Sequence, residues 1–190
     1  MPDQLRFVFL DRDGVINAKA PEGSYVKNWS EFHLLPGTAE AISKLNRLGI
    51  KVVVVTNQRG IARGHLSEFD LQDMHLQMGE ELARSGAHVD AIFHCPHEEN
   101  ACNCRKPKPG LFLQAFERFP EATPAASVMV GDSLSDIQAA RSLGIRTILI
   151  RSKGSPASAK ALEAKKLTDH TADSLQSAVE YLLSGHFPES

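Results

Sequence analysis

A chain of 190 residues, 42% of them hydrophobic and 23% charged, carries enough apolar side chain for one sizeable core. Its formal net charge of −2 excludes a nucleic-acid binder that works through bulk positive charge, and 6% aromatics offer no stacking track. No apolar run approaches the roughly 18–20 residues of a membrane span. No signal-peptide pattern opens the sequence, and three cysteines are an odd count for a disulfide framework. The cytoplasm is therefore the expected compartment, with no membrane or nucleic-acid partner.

Apolar runs alternate with helix-like stretches, the pattern of a parallel α/β sheet. Arg6–Leu10 is the first predicted strand, and Gly14–Pro36 an irregular flap over its end. Pro36-Gly37-Thr38 opens a helix to about Leu48, with Thr38 as cap and Gly49 as stop. The unbroken valines of Lys51–Val55 predict a strand buried on both faces. Ser67 caps a helix towards Arg84, and Val89–His94 is the third strand. A cysteine-bearing loop, 95–110, leads to a helix at Leu111–Phe119, a strand at Ser127–Val130, a helix at Ser135–Leu143 and a strand at Arg146–Ile150. One or two helices, the clearest at Ala172–Leu183, and a polar tail complete the chain. No linker divides it, so residues 1–190 are expected to form one domain, and a monomer.

Parallel strands bring their C-terminal ends to one edge, where ligands bind. The first strand ends in Asp11-Arg12-Asp13-Gly14, whose carboxylates are costly to bury without a partner. A site holding both raises one pKa or binds a cation, although Asp and Gly are also ordinary turn residues. The second strand ends in Thr56-Asn57-Gln58, and the third runs into the loop bearing Arg105-Lys106. The fourth ends in Gly131-Asp132-Ser133, with Asp136 beyond. Such oxygens suit Mg²⁺, which leaves positions for phosphate oxygens, while a hydroxyl, backbone N–H groups and a lysine hold the rest. A carboxylate nucleophile then yields an aspartyl-phosphate.

These four segments, in this order, resemble the motifs of the haloacid dehalogenase (HAD) superfamily of phosphotransferases, over about Phe7 to Ile150. The resemblance implies a Rossmann-like three-layer sandwich around a mainly parallel sheet. It implies Asp11 as nucleophile, Asp13 as general acid and then base, and Thr56 and Lys106 as phosphate ligands. Mg²⁺ would be held by Asp11, Asp132 and the backbone carbonyl of Asp13, with Asp136 in support. The alternative for Asp136 is a helix first-turn acid favoured by the dipole. Asp13 must be protonated to serve a leaving alkoxide, so a raised pKa is expected of it.

All three cysteines fall within ten residues, Cys95 to Cys104. Cys95, His97, Cys102 and Cys104 match a closed tetrahedral Zn²⁺ site of structural type, with His94 a competing ligand and a metal-free loop the other reading. Clamping Cys104 would aim Arg105 and Lys106 at the strand edge.

The flap and the cysteine loop are both too short for a cap domain, so the chain resembles capless HAD phosphatases. Two such branches resemble it: the D-glycero-D-manno-heptose 1,7-bisphosphate 7-phosphatases of lipopolysaccharide precursor synthesis, and the histidinol-phosphate phosphatases. Thr56–Gly64 and Cys104–Gly110 are nearer the first, and the length of the cysteine loop is nearer the second. A sugar bisphosphate needs cations beyond Lys106, and Arg105, Arg59, Arg63 and Lys108 are candidates, with Asn57 and Gln58 as further substrate ligands. Cationic histidinol phosphate would favour Glu98 and Glu99 instead. A zinc-stabilised binding module without catalysis is the alternative of another class; it predicts loss of a motif residue, yet all are present.

Overall fold

The structure is a computed structural model and describes residues 5–151 and 158–185, leaving the last five residues of the polar tail outside. Among the described residues, six strands form one sheet: β1 (Phe7–Leu10), β2 (Lys51–Asn57), β3 (Ala91–Cys95), β4 (Ser127–Gly131), β5 (Arg146–Ile150) and β6 (His170–Ala172). Every neighbouring pair is parallel, in the order β3-β2-β1-β4-β5-β6. The helices are α1 (Thr38–Arg47), α2 (Glu68–Arg84), α3 (Gly110–Arg118), α4 (Leu134–Arg141), α5 (Ala159–Leu167) and α6 (Leu175–Leu183).

Alternation along the strands divides the core into two faces. Val8, Leu10, Val52, Val54, Val128 and Val130 pack with Ile42 and Leu45 of α1, Leu71 and Met78 of α2, and Val179 of α6. Phe7, Phe9, Val53, Val55 and Met129 pack on the other face with Leu111 and Phe112 of α3 and Ala139 and Ala140 of α4. Phe9 meets Phe112 edge-on, with ring centroids 5.1 Å apart. This is the expected three-layer sandwich, and its sheet is parallel throughout. Between β1 and β2 the chain forms one 3₁₀ turn, Trp29–Glu31, and α1, with no cap domain.

Four elements differ from the sequence reading. β6 was not anticipated: it is a three-residue edge strand, too short and too polar to show a period of two. Ala172 belongs to it, so α6 starts at Leu175, capped by Ser174. Gly37, rather than Thr38, caps α1; its φ of 78° is left-handed, a conformation glycine adopts without strain. Ser133 caps α4 through a capping box with Asp136, so that helix begins earlier than expected.

The chain builds β1-β2-β3 to one side and then crosses to β4-β5-β6 on the other. β1 and β4 thus meet at the switch in strand order, where open α/β sheets bind ligands. Leu10 is in register with Val130, and the Asp11 N–H donates to the Val130 carbonyl at 3.0 Å. The acids that follow β1 and β4 therefore emerge side by side.

Candidate active site

Lys106 reaches the end of β1 from the loop after β3. Its Nζ lies 2.9 Å from Asp11 Oδ1, 2.6 Å from Asp136 Oδ1 and 2.6 Å from the Val55 carbonyl. The Asn57 side chain brackets the lysine's peptide: Oδ1 accepts from Lys106 N at 3.1 Å, and Nδ2 donates to Lys106 O at 3.0 Å. Asn57, expected to hold substrate, lines the cleft and also positions Lys106. Burial works against the Lys106 charge, but Asp11 and Asp136 hold its pKa above the ordinary lysine value. Burial pushes the Asp11 carboxyl up to about 7 against the pull of Lys106, with Asp136, Asp132 and Asp13 adding to the rise.

Asp136 does two jobs. Its Oδ2 accepts from Ser133 N at 3.0 Å and from Ser133 Oγ at 2.6 Å, which caps α4, while Oδ1 faces Lys106. Asp132 directs Oδ2 to Lys19 Nζ of the flap, 2.7 Å away, and leaves Oδ1 buried without a hydrogen-bond partner. Burial raises the pKa of Asp132, with Lys19 pulling the other way. Carboxylate oxygens of Asp11, Asp132 and Asp136 lie within 4.8 Å of one another. An all-oxygen set with one orphaned buried oxygen fits a hard cation such as Mg²⁺. Gly14 permits the approach: at its φ of +94°, a Cβ would lie 2.2 Å from Asp132 Oδ2.

Asp13 sits in a different setting. Arg12 Nη2 donates to both of its oxygens, at 3.0 and 2.9 Å, Asn17 Nδ2 donates at 2.9 Å, and Gln58 Nε2 donates at 2.9 Å. The raised pKa expected of Asp13 is not found. Burial alone would raise it, but Arg12 and the three side-chain donors overcome that and bring it below the usual carboxylate value. Gln58 also donates to Thr56 Oγ1 at 3.0 Å, so it ties Asp13 to Thr56 while lining the same cleft.

Asp11, Asp13, Thr56, Lys106, Asp132 and Arg105 line a cleft of about 380 Å³, with flap residues 19–26 as its outer wall. Bonds from Ala18 N to His33 O (2.8 Å) and from Leu35 N to Ile16 O (2.9 Å) pin the flap's base. Of the cations expected to meet a second phosphate, Arg105 alone lines this cleft. Arg59 instead pairs with Glu99 at 2.9 Å, Arg63 pairs with Glu98, and Lys108 Nζ donates to Cys102 O at 2.6 Å. The cations and acids proposed for rival substrates thus neutralise each other across the loops after β2 and β3. Arg12 and Lys19 were missed by sequence reasoning. The only available signal for Arg12 was a cation between two acids at the end of an apolar strand, and Lys19 left none.

Cys95 ends β3, and the other three ligand candidates follow in the loop. Cys104 Sγ lies 3.2 Å from Cys95 Sγ and 3.3 Å from Cys102 Sγ, with Cys95 and Cys102 3.5 Å apart. His97 Nδ1 lies 3.6 Å from Cys95 Sγ and 3.4 Å from Cys104 Sγ. These separations exceed the roughly 2.05 Å of a disulfide and approach the edge, about 3.7 Å, of a tetrahedron with Zn–S near 2.3 Å. The donor set fits Zn²⁺. His94 turns away to Glu68, 2.9 Å off, and the Arg105 N–H donates to Cys102 Sγ at 3.4 Å. No helix among the described residues is long and apolar enough to cross a membrane.

Residues 3–144 match the family of haloacid dehalogenase-like hydrolases. The chain belongs to that family, and it is a phosphatase. It is 44% identical over 137 residues, 72% of each chain, to the D-glycero-alpha-D-manno-heptose-1,7-bisphosphate 7-phosphatase of Mycobacterium bovis. It is 39% identical over 184 residues, 93% of this chain and 95% of the other, to the D-glycero-beta-D-manno-heptose-1,7-bisphosphate 7-phosphatase of Vibrio cholerae. Among solved structures it resembles the D,D-heptose 1,7-bisphosphate phosphatase from B. bronchiseptica complexed with magnesium and phosphate. That likeness has a TM-score of 0.82 at 34% identity, over 94% of this chain and 98% of the other.

Proposed function

We propose that this phosphatase is a cytoplasmic, single-domain, Mg²⁺-dependent enzyme that removes the 7-phosphate of D-glycero-D-manno-heptose 1,7-bisphosphate through an aspartyl-phosphate on Asp11. The observation that carries the reading is the meeting of Asp11, Asp132 and Lys106 inside one cleft, with Arg105 on its wall. The relatives' activity supports the choice of sugar, and Arg105 on the cleft wall supplies a cation for its second phosphate.

An Asp11 oxygen attacks phosphorus, and the bond from phosphorus to the sugar's 7-oxygen breaks. Asp13 delivers its proton to that oxygen, then takes a proton from the water that attacks the aspartyl-phosphate, which frees Asp11 and inorganic phosphate. Thr56 and Lys106 hold phosphate oxygens, and Arg105 meets the second phosphate. Mg²⁺, held by Asp11, Asp132 and the Asp13 carbonyl with Asp136 in support, would neutralise charge on the phosphoryl group. Without substrate Asp13 is in its basic form. A phosphate dianion beside it opposes that ionisation through like-charge repulsion, so substrate itself draws the proton onto Asp13. Zn²⁺ in the cysteine loop has a structural role, holding Arg105 and Lys106 in place.

The test is phosphate release from both anomers of the heptose bisphosphate and from histidinol phosphate, with and without Mg²⁺. Higher kcat/KM on the heptose substrate is expected, along with dependence on Mg²⁺. A clear preference for histidinol phosphate would overturn the substrate, and full activity of Asp11→Asn would overturn the mechanism.

A further inference from the structure

Arg12 is among the largest side chains in the protein that are fully buried, with 1% of its surface exposed. A guanidinium is costly to bury unless its charge is paired and its donors are used. Here both conditions are met, and the partners fall into two groups. Towards the cleft, Nη2 and Nε donate to the Asp13 carboxylate, at 2.9 to 3.3 Å. Away from it, Nη1 donates to Met74 Sδ at 3.6 Å and to His75 Nε2 at 3.3 Å, both on α2. Nη2 also reaches Gln58 Oε1 at 3.3 Å, and the guanidinium carbon lies 5.8 Å from the centre of the Phe32 ring on the flap. Burial and Arg12 hold the His75 pKa near 3, so the imidazole is a neutral acceptor. One planar group is therefore fastened to α2, to the loop after β2 and to the flap, and it presents its fork to a single carboxylate.

We propose that Arg12 is the positioning residue for proton transfer: it locks the plane of the Asp13 carboxyl so that the acid is aimed at the oxygen leaving phosphorus. This rests on the reading of Asp13 as the general acid. The physical basis is the fork. Asn17 and Gln58 each hold one Asp13 oxygen from a separate segment, whereas Arg12 engages both oxygens from one planar, anchored group and so sets the carboxyl's plane. A misplacement of about 1 Å in a reacting group can cost about 10²-fold in rate. The hydrogen bonds of Arg12 run to Asp13, Gln58, Met74 and His75 rather than to Asp11 or Lys106, so its loss leaves the phosphoryl ligands in place.

The consequence is a selective defect. A phosphate ester with a poor leaving group, such as a sugar alkoxide, needs the proton, whereas p-nitrophenolate leaves without it. The ratio of kcat/KM on the heptose bisphosphate to that on p-nitrophenyl phosphate, read on one preparation, cancels any loss of folded enzyme. Arg12→Gln is expected to lower this ratio about tenfold or more, within the 10²–10⁴-fold that a general acid contributes, through kcat with KM on the sugar little changed. Arg12→Lys keeps the charge but lacks the fork, and is expected to remain impaired. His75→Leu keeps every Asp13 bond but frees Arg12 from one anchor on α2, and should lower the ratio in the same direction by less. A wild-type ratio in Arg12→Lys or in His75→Leu would overturn the proposal. Asp13→Ala separates the two readings. If it lowers both substrates equally, Asp13 is not the acid; if it acts selectively while Arg12→Gln does not, the fault lies with Arg12 alone.

Discussion

Asp11 and Asp13 leave the same strand two residues apart, both largely shielded from water, and their surroundings drive them in opposite directions. Asp11 shares its space with Asp132 and Asp136 and has Lys106 as its cation, and the acids together with burial hold its pKa up at about 7. Asp13 lines the same cleft but is held by a guanidinium and two amides, and its pKa falls. Burial acts on both alike, so the partners decide the difference. Like-charged neighbours create a demand for a cation around Asp11, and a dense set of donors gives Asp13 a fixed orientation. Two carboxylates with different roles need two such environments.

The largest test of this contrast is removal of the acid at its centre. Asp11→Asn should reduce phosphate release from the heptose substrate by about 10⁴-fold or more, as loss of a nucleophile does elsewhere; retained turnover would end the distinction between the two acids. Lys106→Met comes next. It should lower kcat by about 10²–10³-fold and cost roughly 3 kcal/mol in urea unfolding, because Asp11 and Asp136 lose their shared cation.

Metal removal probes the cysteine loop instead. Stripping Zn²⁺ with a chelator and restoring Mg²⁺ should leave activity well below that of the intact enzyme, with recovery on addition of Zn²⁺. Full activity with Mg²⁺ alone would detach the loop from the positioning of Arg105 and Lys106.

Gln58→Leu sharpens the Asp13 side through pH. The folded pKa of Asp13 lies below its unfolded value of about 3.9. Its contribution to stability is therefore complete above that pH and is lost as pH falls through the folded value. Removing one donor should cost roughly 1–2 kcal/mol at neutral pH, and the gap from wild type should narrow below pH about 4, as read by urea unfolding across pH. A gap that stays constant down to pH 2 would mean the bond does not favour the ionised form. The smallest effect is expected at the rim: Glu99→Gln removes an exposed partner of Arg59 and should change stability by less than about 1 kcal/mol.

Much of the sheet was legible because buried parallel strands announce themselves as continuous apolar runs, as in Lys51–Val55. β6 escaped notice because three residues at an edge, His170–Ala172, carry no such run. The cap of α1 was placed one residue late because a left-handed glycine can do what Thr38 was expected to do with its side chain. The zinc candidates were legible as a group because all four lie within ten residues, so local spacing nearly determines their proximity. The rim cations were not: Arg59 and Glu99 are 40 residues apart, and nothing in either neighbourhood announces the pairing. The lowered pKa of Asp13 was not legible for a related reason, since its bond from Gln58 depends on how the loop after β2 folds back onto β1.

The sequence by itself determined which chemical groups stand at the strand ends, because the strands are apolar, the ends are polar, and parallel connections bring all of those ends to one edge. It thereby gave the family resemblance and the candidate residues for a phosphate site. Only the tertiary structure decided which charge meets which. Lys106 reaches an aspartate 95 residues earlier, Arg12 turns to Asp13 rather than to solvent, and Arg59 and Arg63 turn to Glu99 and Glu98 rather than to the cleft. The physical reason is range. Hydrogen bonds and ion pairs act over a few ångströms, and that distance is set by the packing of the whole sheet and its helices rather than by any local stretch of chain.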